Sequence, residues 1–394
     1  MRIYLDHAAT APVSAVARDA AWPWLSGGVA SNPSSVHRSG QRARAAVDAA
    51  RERVAHALGA LPAEVVFTSG ATEAIALAVH GTLDALPADA ALVVGASEHA
   101  AVLAVAEREA RRGRPVAYVP PAPHGVPDPA RLQATLADLP GPIGLVAIMH
   151  TNNETGGVAD VNALVDLAHQ RGAAFLCDAV QALGYAPLAL RDAGVDLAAV
   201  SAHKLGGLQG VGALIVRDGR TLVPQQRGGA QERGRRAGTH PVAAIAAFGA
   251  VAEAATHDLA DRIARTAALR DRLEAALLRT PGVRRNGTGP RGPKHLNVRV
   301  DHVDGESLRL ALDDAGIEVS AGSACAAGSV EPSHVLLQLG ATPAQARASL
   351  RFSVGWNDGP GALDEAAIDD AARRFAEVVA RLRSLPVGAT GPLP

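Results

Sequence analysis

Lys204 lies directly after an apolar run, Val195 to Val200, in the motif Ser201-Ala202-His203-Lys204. Such a run indicates a buried strand, and burial lowers the pKa of a lysine. A neutral amine can attack a carbonyl carbon to form a Schiff base, and Ser201 and His203 can hydrogen-bond a phosphate. A solvent-exposed lysine at a strand end would give the same pattern. From this motif alone, Schiff-base formation at Lys204 is therefore only a hypothesis.

A second group of polar residues suits the binding of a flat, cationic ring. Asp178 follows the apolar run Ala174 to Cys177, and a carboxylate at the end of a buried strand needs a cationic partner. A protonated pyridine nitrogen would serve, and Gln181 could donate to a hydroxyl of the same ring. His99, at another strand end, could stack on the ring or move protons. Asp178 could equally cap the next helix, and His99 could be satisfied in a turn.

Two further motifs are candidates for binding anions. The stretch Ser69-Gly70-Ala71-Thr72 opens a helix directly after a strand, where free N–H groups and the helix dipole favour a phosphate. The alternative is an ordinary Ser or Thr N-cap, which is commoner.

Arg351 lies in the apolar strand Leu350 to Ser353, and its planar guanidinium would suit a carboxylate. Its alternative is an edge strand with the arginine in solvent. Asn153 lies in a polar, turn-like stretch.

The two cysteines, Cys177 and Cys325, lie in opposite surroundings. Cys325 is flanked by small residues from Ser320 to Gly328, which is typical of a mobile, exposed loop. An exposed thiol in a reducing compartment is a liability unless it reacts, so Cys325 is expected to be reactive. Cys177 lies in an apolar strand and is expected to be inert. Two cysteines do not make a disulfide framework.

The elements that must position these residues alternate between strand-like and helix-like segments from Val65 to Cys177. This alternation predicts βαβ units and a mainly parallel sheet with helices on both faces. In such a sheet the ligand lies beyond the carboxyl ends of the strands, where the motifs fall. A long helix from Pro241 to about Thr280 and a smaller α+β unit are predicted to follow. Trp22 to Pro33 is predicted to be a loop.

The composition narrows the class of protein. The 394 residues, 48% of them hydrophobic, allow two domains with sizeable cores, and the formal net charge of −1 gives no reason to expect nucleic-acid binding. No apolar run has the length of a membrane span, and the N-terminus lacks the apolar core of a signal peptide. A cytoplasmic protein without membrane association is therefore expected. No metal site is predicted.

Together the motifs resemble those of the cysteine desulfurases, pyridoxal-phosphate enzymes of the class V aminotransferase group. The resemblance, which spans nearly the whole chain, is carried by these stretches in the family's order: Tyr4 to Thr10, Asn32 to Ser35, Phe67 to Glu73, Glu98-His99, Asn152 to Gly156, Asp178 to Gln181, Ser201 to Lys204, Gly229 to Thr239, Gly322 to Cys325 and Arg351 to Gly355. It implies the α/β architecture called fold-type I. A large cofactor-binding domain is expected over 14–256, a small domain over 1–13 and 257–385, and a tail over 386–394.

The resemblance also implies a role for each candidate residue. Lys204 would form the Schiff base with pyridoxal 5'-phosphate, and Cys325 would be the nucleophile that takes sulfur from L-cysteine. The other implied contacts are Asp178 to the pyridine nitrogen, Gln181 to the ring hydroxyl, His99 stacked on the ring, Ala71, Thr72, Ser201 and His203 around the phosphate, Thr239 to the phosphate of a partner subunit, and Asn153 and Arg351 to the substrate carboxylate. The enzyme would be a homodimer that passes sulfur to an acceptor, such as an iron–sulfur scaffold protein.

Two other classes of function fit parts of the sequence. A selenocysteine lyase or another class V enzyme would share the fold and the lysine, although Cys325 argues against a plain aminotransferase. A catalytically idle sulfur-transfer scaffold would need only the thiol. The intact set of Lys204, Asp178 and His99 argues against that reading.

Overall fold

The computed structural model describes residues 2–27, 32–321, 331–356 and 362–384. Within them the helices and strands follow one another as β1 (Ile3–Tyr4), α1 (Ala15–Leu25), α2 (Arg38–Ala57), β2 (Val65–Thr68), α3 (Ala71–Leu83), β3 (Ala91–Gly95), α4 (Ala100–Arg111), β4 (Val116–Val119), α5 (Pro129–Ala137), β5 (Ile143–Met149), α6 (Val161–Gln170), β6 (Ala174–Asp178), β7 (Leu197–Ser201), β8 (Gly212–Val216), α7 (Val242–His257), α8 (Leu259–Leu277), β9 (Val283–Arg285), β10 (His295–Val300), α9 (Gly305–Asp314), β11 (Ile317–Glu318), α10 (His334–Gln338), α11 (Pro343–Arg347), β12 (Ser349–Ser353) and α12 (Glu365–Ser384).

Seven strands form the central sheet, in the order β2-β8-β7-β6-β5-β3-β4. The pairs β3–β4, β3–β5, β5–β6 and β6–β7 are parallel, and β8 runs antiparallel to both of its neighbours. Most of these strands are continuous apolar runs that are buried along their whole length, because helices cover both faces of the sheet. The predicted α/β class with a mainly parallel sheet is confirmed.

A second group of elements surrounds a separate apolar core. Strands β12, β10 and β9 form an antiparallel sheet, and β1 pairs with β11 in parallel. The apolar side chains of this core include Leu273, Phe352 and Phe375, and Ile3 and Leu5 from the N-terminal segment join them. The N-terminal residues therefore pack with the C-terminal third of the chain. The domain bounds 14–256, 1–13 and 257–385 stay a prediction, and the tail 386–394 lies outside the described residues.

Two helix predictions are wrong. Trp22 to Leu25 belongs to α1, not to a loop, because Ser14 caps this helix by accepting a hydrogen bond from the backbone N–H of Ala17, and the face with Ala17 and Ala21 is buried against α7. The single helix expected from Pro241 to Thr280 is two helices, α7 and α8, bent by 80° at a break.

The bend between α7 and α8 lies at Asp258, whose φ and ψ of −117° and 44° are not helical. Phe248 of α7 is buried in the core of the large sheet, whereas Leu273 of α8 is buried in the second core. The two helices therefore point in different directions because each packs its apolar face into a different core. Within the described residues no single helix is long and apolar enough to cross a membrane. Among these described helices, only α7 and α8 taken together, as a bent pair, have that length and composition.

Candidate active site

A cavity of about 620 Å³ opens at the carboxyl ends of the central strands. Its walls bring together ten of the residues that the sequence nominated: Ala71, Thr72, His99, Asn153, Asp178, Gln181, Ser201, His203, Lys204 and Arg351. These residues come from six separate stretches of the chain. Thr239 is exposed and does not line the cavity, and Cys325 lies outside the described residues.

Lys204 is positioned by a short 3₁₀ helix, Ala202–Leu205, that directly follows β7. The turn ends at Gly206, whose φ of 82° favours glycine, and a Cβ there would lie 2.9 Å from the carbonyl oxygen of Pro12. The Nζ of Lys204 donates to the carbonyl oxygens of Ala8 and Ala9, at 2.7 Å each. The amine is therefore half-buried and held against the N-terminal segment at the cavity wall.

The start of α3 has the properties of an anion site. Its N-cap is Gly70, which has no side chain to occupy the first-turn N–H groups, so an ordinary Ser or Thr cap is not what the structure contains. His203 lies opposite, with Nδ1 3.1 Å from the Oγ1 of Thr10. Burial, together with the charges of Lys204 and Lys294, lowers the pKa of His203 to about 4. At neutral pH it is a neutral imidazole.

Asp178 lies at the end of β6 and is buried. Its Oδ1 accepts a hydrogen bond from the backbone N–H of Val180 at 3.0 Å. Burial raises the pKa of Asp178 above its usual range. A cationic group in the cavity would stabilise its ionised form, so the site fits a protonated pyridine nitrogen.

A second buried carboxyl group lies close behind the cavity wall. The Oε1 of Glu98 accepts a hydrogen bond from the backbone N–H of Met149 at 2.9 Å, and Oε2 has no partner among the described residues. Burial raises the pKa of Glu98 well above its usual value. In the sequence, Glu98 stands out only as part of the Glu98-His99 motif. Its burial was not evident because the residue follows a turn.

His99 caps α4: its Nδ1 accepts a hydrogen bond from the backbone N–H of Ala101 at 3.1 Å. The neutral ring therefore carries its proton on Nε2. Because His99 also lines the cavity, it combines the two functions that its sequence left open, a satisfied turn position and an imidazole at the site.

Gln181 meets a partner that the sequence did not reveal. Its Nε2 donates to the carbonyl oxygen of Ala8 at 3.0 Å, and its buried Oε1 has no partner among the described residues. Ala8 thus accepts hydrogen bonds from both Gln181 and Lys204. The second N–H of the amide and the Oε1 stay available for a ligand in the cavity.

Arg351 lies on β12, an edge strand of its sheet, but it is 3% exposed, so the alternative of an arginine in solvent is wrong. Its Nη2 donates to Oδ1 of Asp6 at 2.7 Å, and Nη1 donates to the backbone oxygen of Asn153 at 3.0 Å. The Nε has no partner among the described residues. Asp6 was not nominated as a site residue, although it lies in a polar run with His7 and Thr10 that could have drawn attention to it.

Cys177 is fully buried in β6. Burial and the neighbouring charges of Asp178 and Glu98 raise the pKa of this thiol far above its usual value. Cys177 therefore has neither the access nor the ionisation of a reactive cysteine.

Comparisons with known proteins agree with this fold and site. The family described as "Aminotransferase class-V" matches residues 3–358, and the chain belongs to it. A cysteine desulfurase of Enterobacter agglomerans is 38% identical over 97% of this chain and 94% of its own length. The cysteine desulfurase IscS of Serratia proteamaculans is 40% identical over the same shares. The resemblance to cysteine desulfurases is confirmed.

Solved structures show the same likeness. A NifS-like protein superposes with a TM-score of 0.88 at 29% identity, covering 97% of this chain and 100% of that one. The structure titled "SspA in complex with cysteine" gives a TM-score of 0.79 at 31% identity, over 90% of this chain and 98% of that one.

Proposed function

We propose that this enzyme is a pyridoxal-phosphate-dependent cysteine desulfurase, which converts L-cysteine to L-alanine and leaves the sulfur as a persulfide on Cys325. The observation that carries the proposal is the single cavity into which ten separately nominated residues converge. The names of its relatives and of the cysteine-bound structural neighbour support the same substrate.

The residues around the cavity fit pyridoxal phosphate. Its volume suits a small organic ligand. The uncapped start of α3 is suited to the phosphate, Asp178 to the pyridine nitrogen and Gln181, with its unpartnered Oε1, to the ring hydroxyl. Lys204 would bond the aldehyde carbon. When bound, the cofactor would supply an electron-withdrawing ring that makes the α-proton of an amino acid acidic.

The remaining steps fall to the side chains of this protein. Arg351 would hold the carboxylate of L-cysteine, with Asn153 beside it. Lys204 would take the α-proton, and His99 would stack on the ring and donate from its Nε2–H to a group beside it. The Cys325 thiolate would then attack the sulfur of the substrate. The new S–S bond forms as the substrate C–S bond breaks, and the electron pair stays on carbon, which is protonated to give L-alanine.

The ends of the segment that holds Cys325 support its proposed role. On one side Ser320 and Arg351 exchange backbone hydrogen bonds of 3.2 and 2.7 Å. On the other side the Ser333 hydroxyl donates to Oε2 of Glu154 at 2.5 Å, and Nε2 of His334 lies 3.0 Å from the backbone oxygen of Glu98. The segment therefore starts beside the proposed carboxylate site and ends beside the residue that precedes His99.

The proposal includes a homodimer in which Thr239 binds the phosphate of the partner subunit. Thr239 is exposed and does not line its own cavity, which is consistent with a contact to the cavity of a second copy. Its loop is tied to the proposed phosphate site by Arg236, whose Nε donates to Oε1 of Glu73 at 2.7 Å. A cytoplasmic location and a thiol acceptor for the sulfur complete the proposal, since a reducing compartment keeps Cys325 reactive.

The test is the reaction of purified protein with L-cysteine and a reductant. Equal amounts of alanine and sulfide are expected, together with a visible absorbance of the bound cofactor that Lys204→Ala abolishes. L-selenocysteine, assayed in parallel, tests the selenocysteine lyase alternative. Absence of alanine from L-cysteine in protein that holds the cofactor would contradict the proposal.

A further inference from the structure

The chain contains two lysines, Lys204 and Lys294, among 38 residues of Lys or Arg. Arginine is used at every other basic position. Arginine keeps its charge under all ordinary conditions, whereas a buried lysine can lose its proton. At the two positions with lysine, the chain therefore has an amine that is able to change its charge. Lys204 has such a role in the proposed function, and Lys294 has none so far.

Lys294 immediately precedes β10 and is 1% exposed. Its backbone oxygen accepts a hydrogen bond from the N–H of Val354 at 2.9 Å, which fixes it beside the strand that carries Arg351. Its Nζ lies 4.2 Å from the centroid of the Tyr185 ring. No hydrogen-bond acceptor pairs with this Nζ within the part of the chain that the structure describes.

The charged and titratable groups that interact with Lys294 are cations and imidazoles from several separate elements. Burial and the positive charges of Lys204, Arg351 and Arg262 lower the pKa of Lys294 well below that of an ordinary lysine. The groups coupled to it by charge are Lys204 after β7, Arg351 of β12, Arg262 of α8, His7 of the N-terminal segment, His203 and His295.

The two lysines differ in how well they can hold a proton. The Nζ of Lys204 has two carbonyl acceptors at 2.7 Å, those of Ala8 and Ala9. The Nζ of Lys294 has the face of one aromatic ring, which is a weaker partner for an ammonium than two hydrogen bonds. A proton shared between the two amines is therefore more stable on Lys204.

We propose that Lys294 is a positioning residue that acts on Lys204 through charge, so that the two amines hold one proton between them. The proton stays on Lys204 while its nitrogen is an unmodified ammonium. Lys294 takes up a proton when the nitrogen of Lys204 loses its charge. The positive charge behind the cavity is then nearly constant, and Arg351 and the anions it binds keep the same field. An arginine at position 294 could not serve, because it would add a fixed second charge.

Because there are only two lysines, the proposal can be tested residue by residue. Protein labelled with ¹³C at the lysine Cε gives two lysine signals, and each reports the charge of its amine as the pH is varied. The protein is prepared without pyridoxal phosphate as wild type, Lys204→Met and Lys204→Arg. Each variant retains Lys294 as its sole lysine, so the remaining signal needs no further assignment.

Lys294 is expected to titrate well below an ordinary lysine in the wild type and in Lys204→Arg, which keeps a charge at position 204. In Lys204→Met its midpoint should rise by about one pH unit or more, a size typical of a close charge–charge interaction. Equal midpoints in Lys204→Met and Lys204→Arg would overturn the proposal, and so would an ordinary lysine midpoint in the wild type. If Lys294 had only a structural role, its titration midpoint would be the same in Lys204→Met and Lys204→Arg.

The link to catalysis rests on the proposed function and is tested separately. Pyridoxal phosphate added to the wild type should move the Lys204 Cε signal to that of a carbon attached to an imine nitrogen and raise the midpoint of Lys294. If the Lys204 signal does not move, the proposed role of Lys204 fails while the coupling measured in the two variants stands. If it moves and the midpoint of Lys294 does not rise, the proposed proton uptake is wrong.

Discussion

Glu232 and Arg51 form a buried ion pair that we expect to be one of the larger single contributions to stability. The carboxylate accepts from Nη1 and Nη2 of Arg51 at 2.7 and 2.8 Å, and from the backbone N–H of Phe67 at 3.0 Å. Nε2 of His240 contacts it at 2.5 Å. Burial alone would raise the pKa of Glu232, but the hydrogen bonds from Arg51 and His240 and the charge of Arg51 lower it to about 2.

The shift in the pKa of Glu232 gives the size of its contribution to the free energy of unfolding. The pKa of Glu232 falls from an ordinary value of 4.5 to about 2, a difference of about 2.5 units. At 1.36 kcal/mol per unit this amounts to ~3 kcal/mol of stability. Because the folded-state pKa is depressed, the contribution is complete above about pH 5 and is lost as the pH falls towards 2. About half of it should be gone at pH 3.

The assay is urea unfolding of wild type and Glu232→Gln at pH 7 and pH 3. Glutamine keeps the shape of the side chain and removes its charge, so the variant should lose about 3 kcal/mol at pH 7 and about half that at pH 3. Glu253→Gln is a matched control, because Glu253 pairs with Arg53 at 3.3 Å on the exposed surface and should contribute less than about 1 kcal/mol. Equal losses for Glu232→Gln at both pH values would refute the reasoning.

Three further predictions concern the site. Arg351→Lys should raise KM for L-cysteine about tenfold or more, because lysine lacks the planar fork of the guanidinium. Arg299→Lys is the same change on the paired strand and should leave KM unchanged. An unaltered KM in Arg351→Lys would place the substrate carboxylate elsewhere. Cys325→Ser should keep the cofactor absorbance and release no sulfur, and mass spectrometry should find the added sulfur on Cys325 of the wild type and not on Cys177. Sedimentation should give a dimer at micromolar concentration, and Thr239→Ala should weaken cofactor binding; a fully active monomer would refute the shared site.

The sequence was sufficient to predict the location of those site residues that directly follow a buried strand. Asp178 and Lys204 each follow an apolar run, and the rule that ligands lie beyond the carboxyl ends of parallel strands brings them together without further information. The same reasoning separated Cys177, buried within its strand, from a reactive thiol.

The sequence was insufficient where the partner is distant along the chain. Arg351 was expected to need a carboxylate, but the one it contacts in the structure, Asp6, is 345 positions away. The bend at Asp258 depends on which core buries each helix, and helical periodicity does not carry that information. Lys294 precedes its strand without any flanking motif, so only the structure shows its burial and the effect of the charge of Lys204 on its pKa.

The N-terminal segment connects these separate observations. Residues 6–10 contact four candidate site residues: Asp6 pairs with Arg351, Ala8 accepts from Gln181 and Lys204, and Thr10 contacts His203. The residues just before them pair with β11, in the second core. Arg351 comes from that core and Lys204 from the large sheet, so the segment joins the proposed carboxylate site to the proposed cofactor amine. Any shift of one core relative to the other must therefore change the hydrogen bonds of Lys204 as well as the position of Arg351.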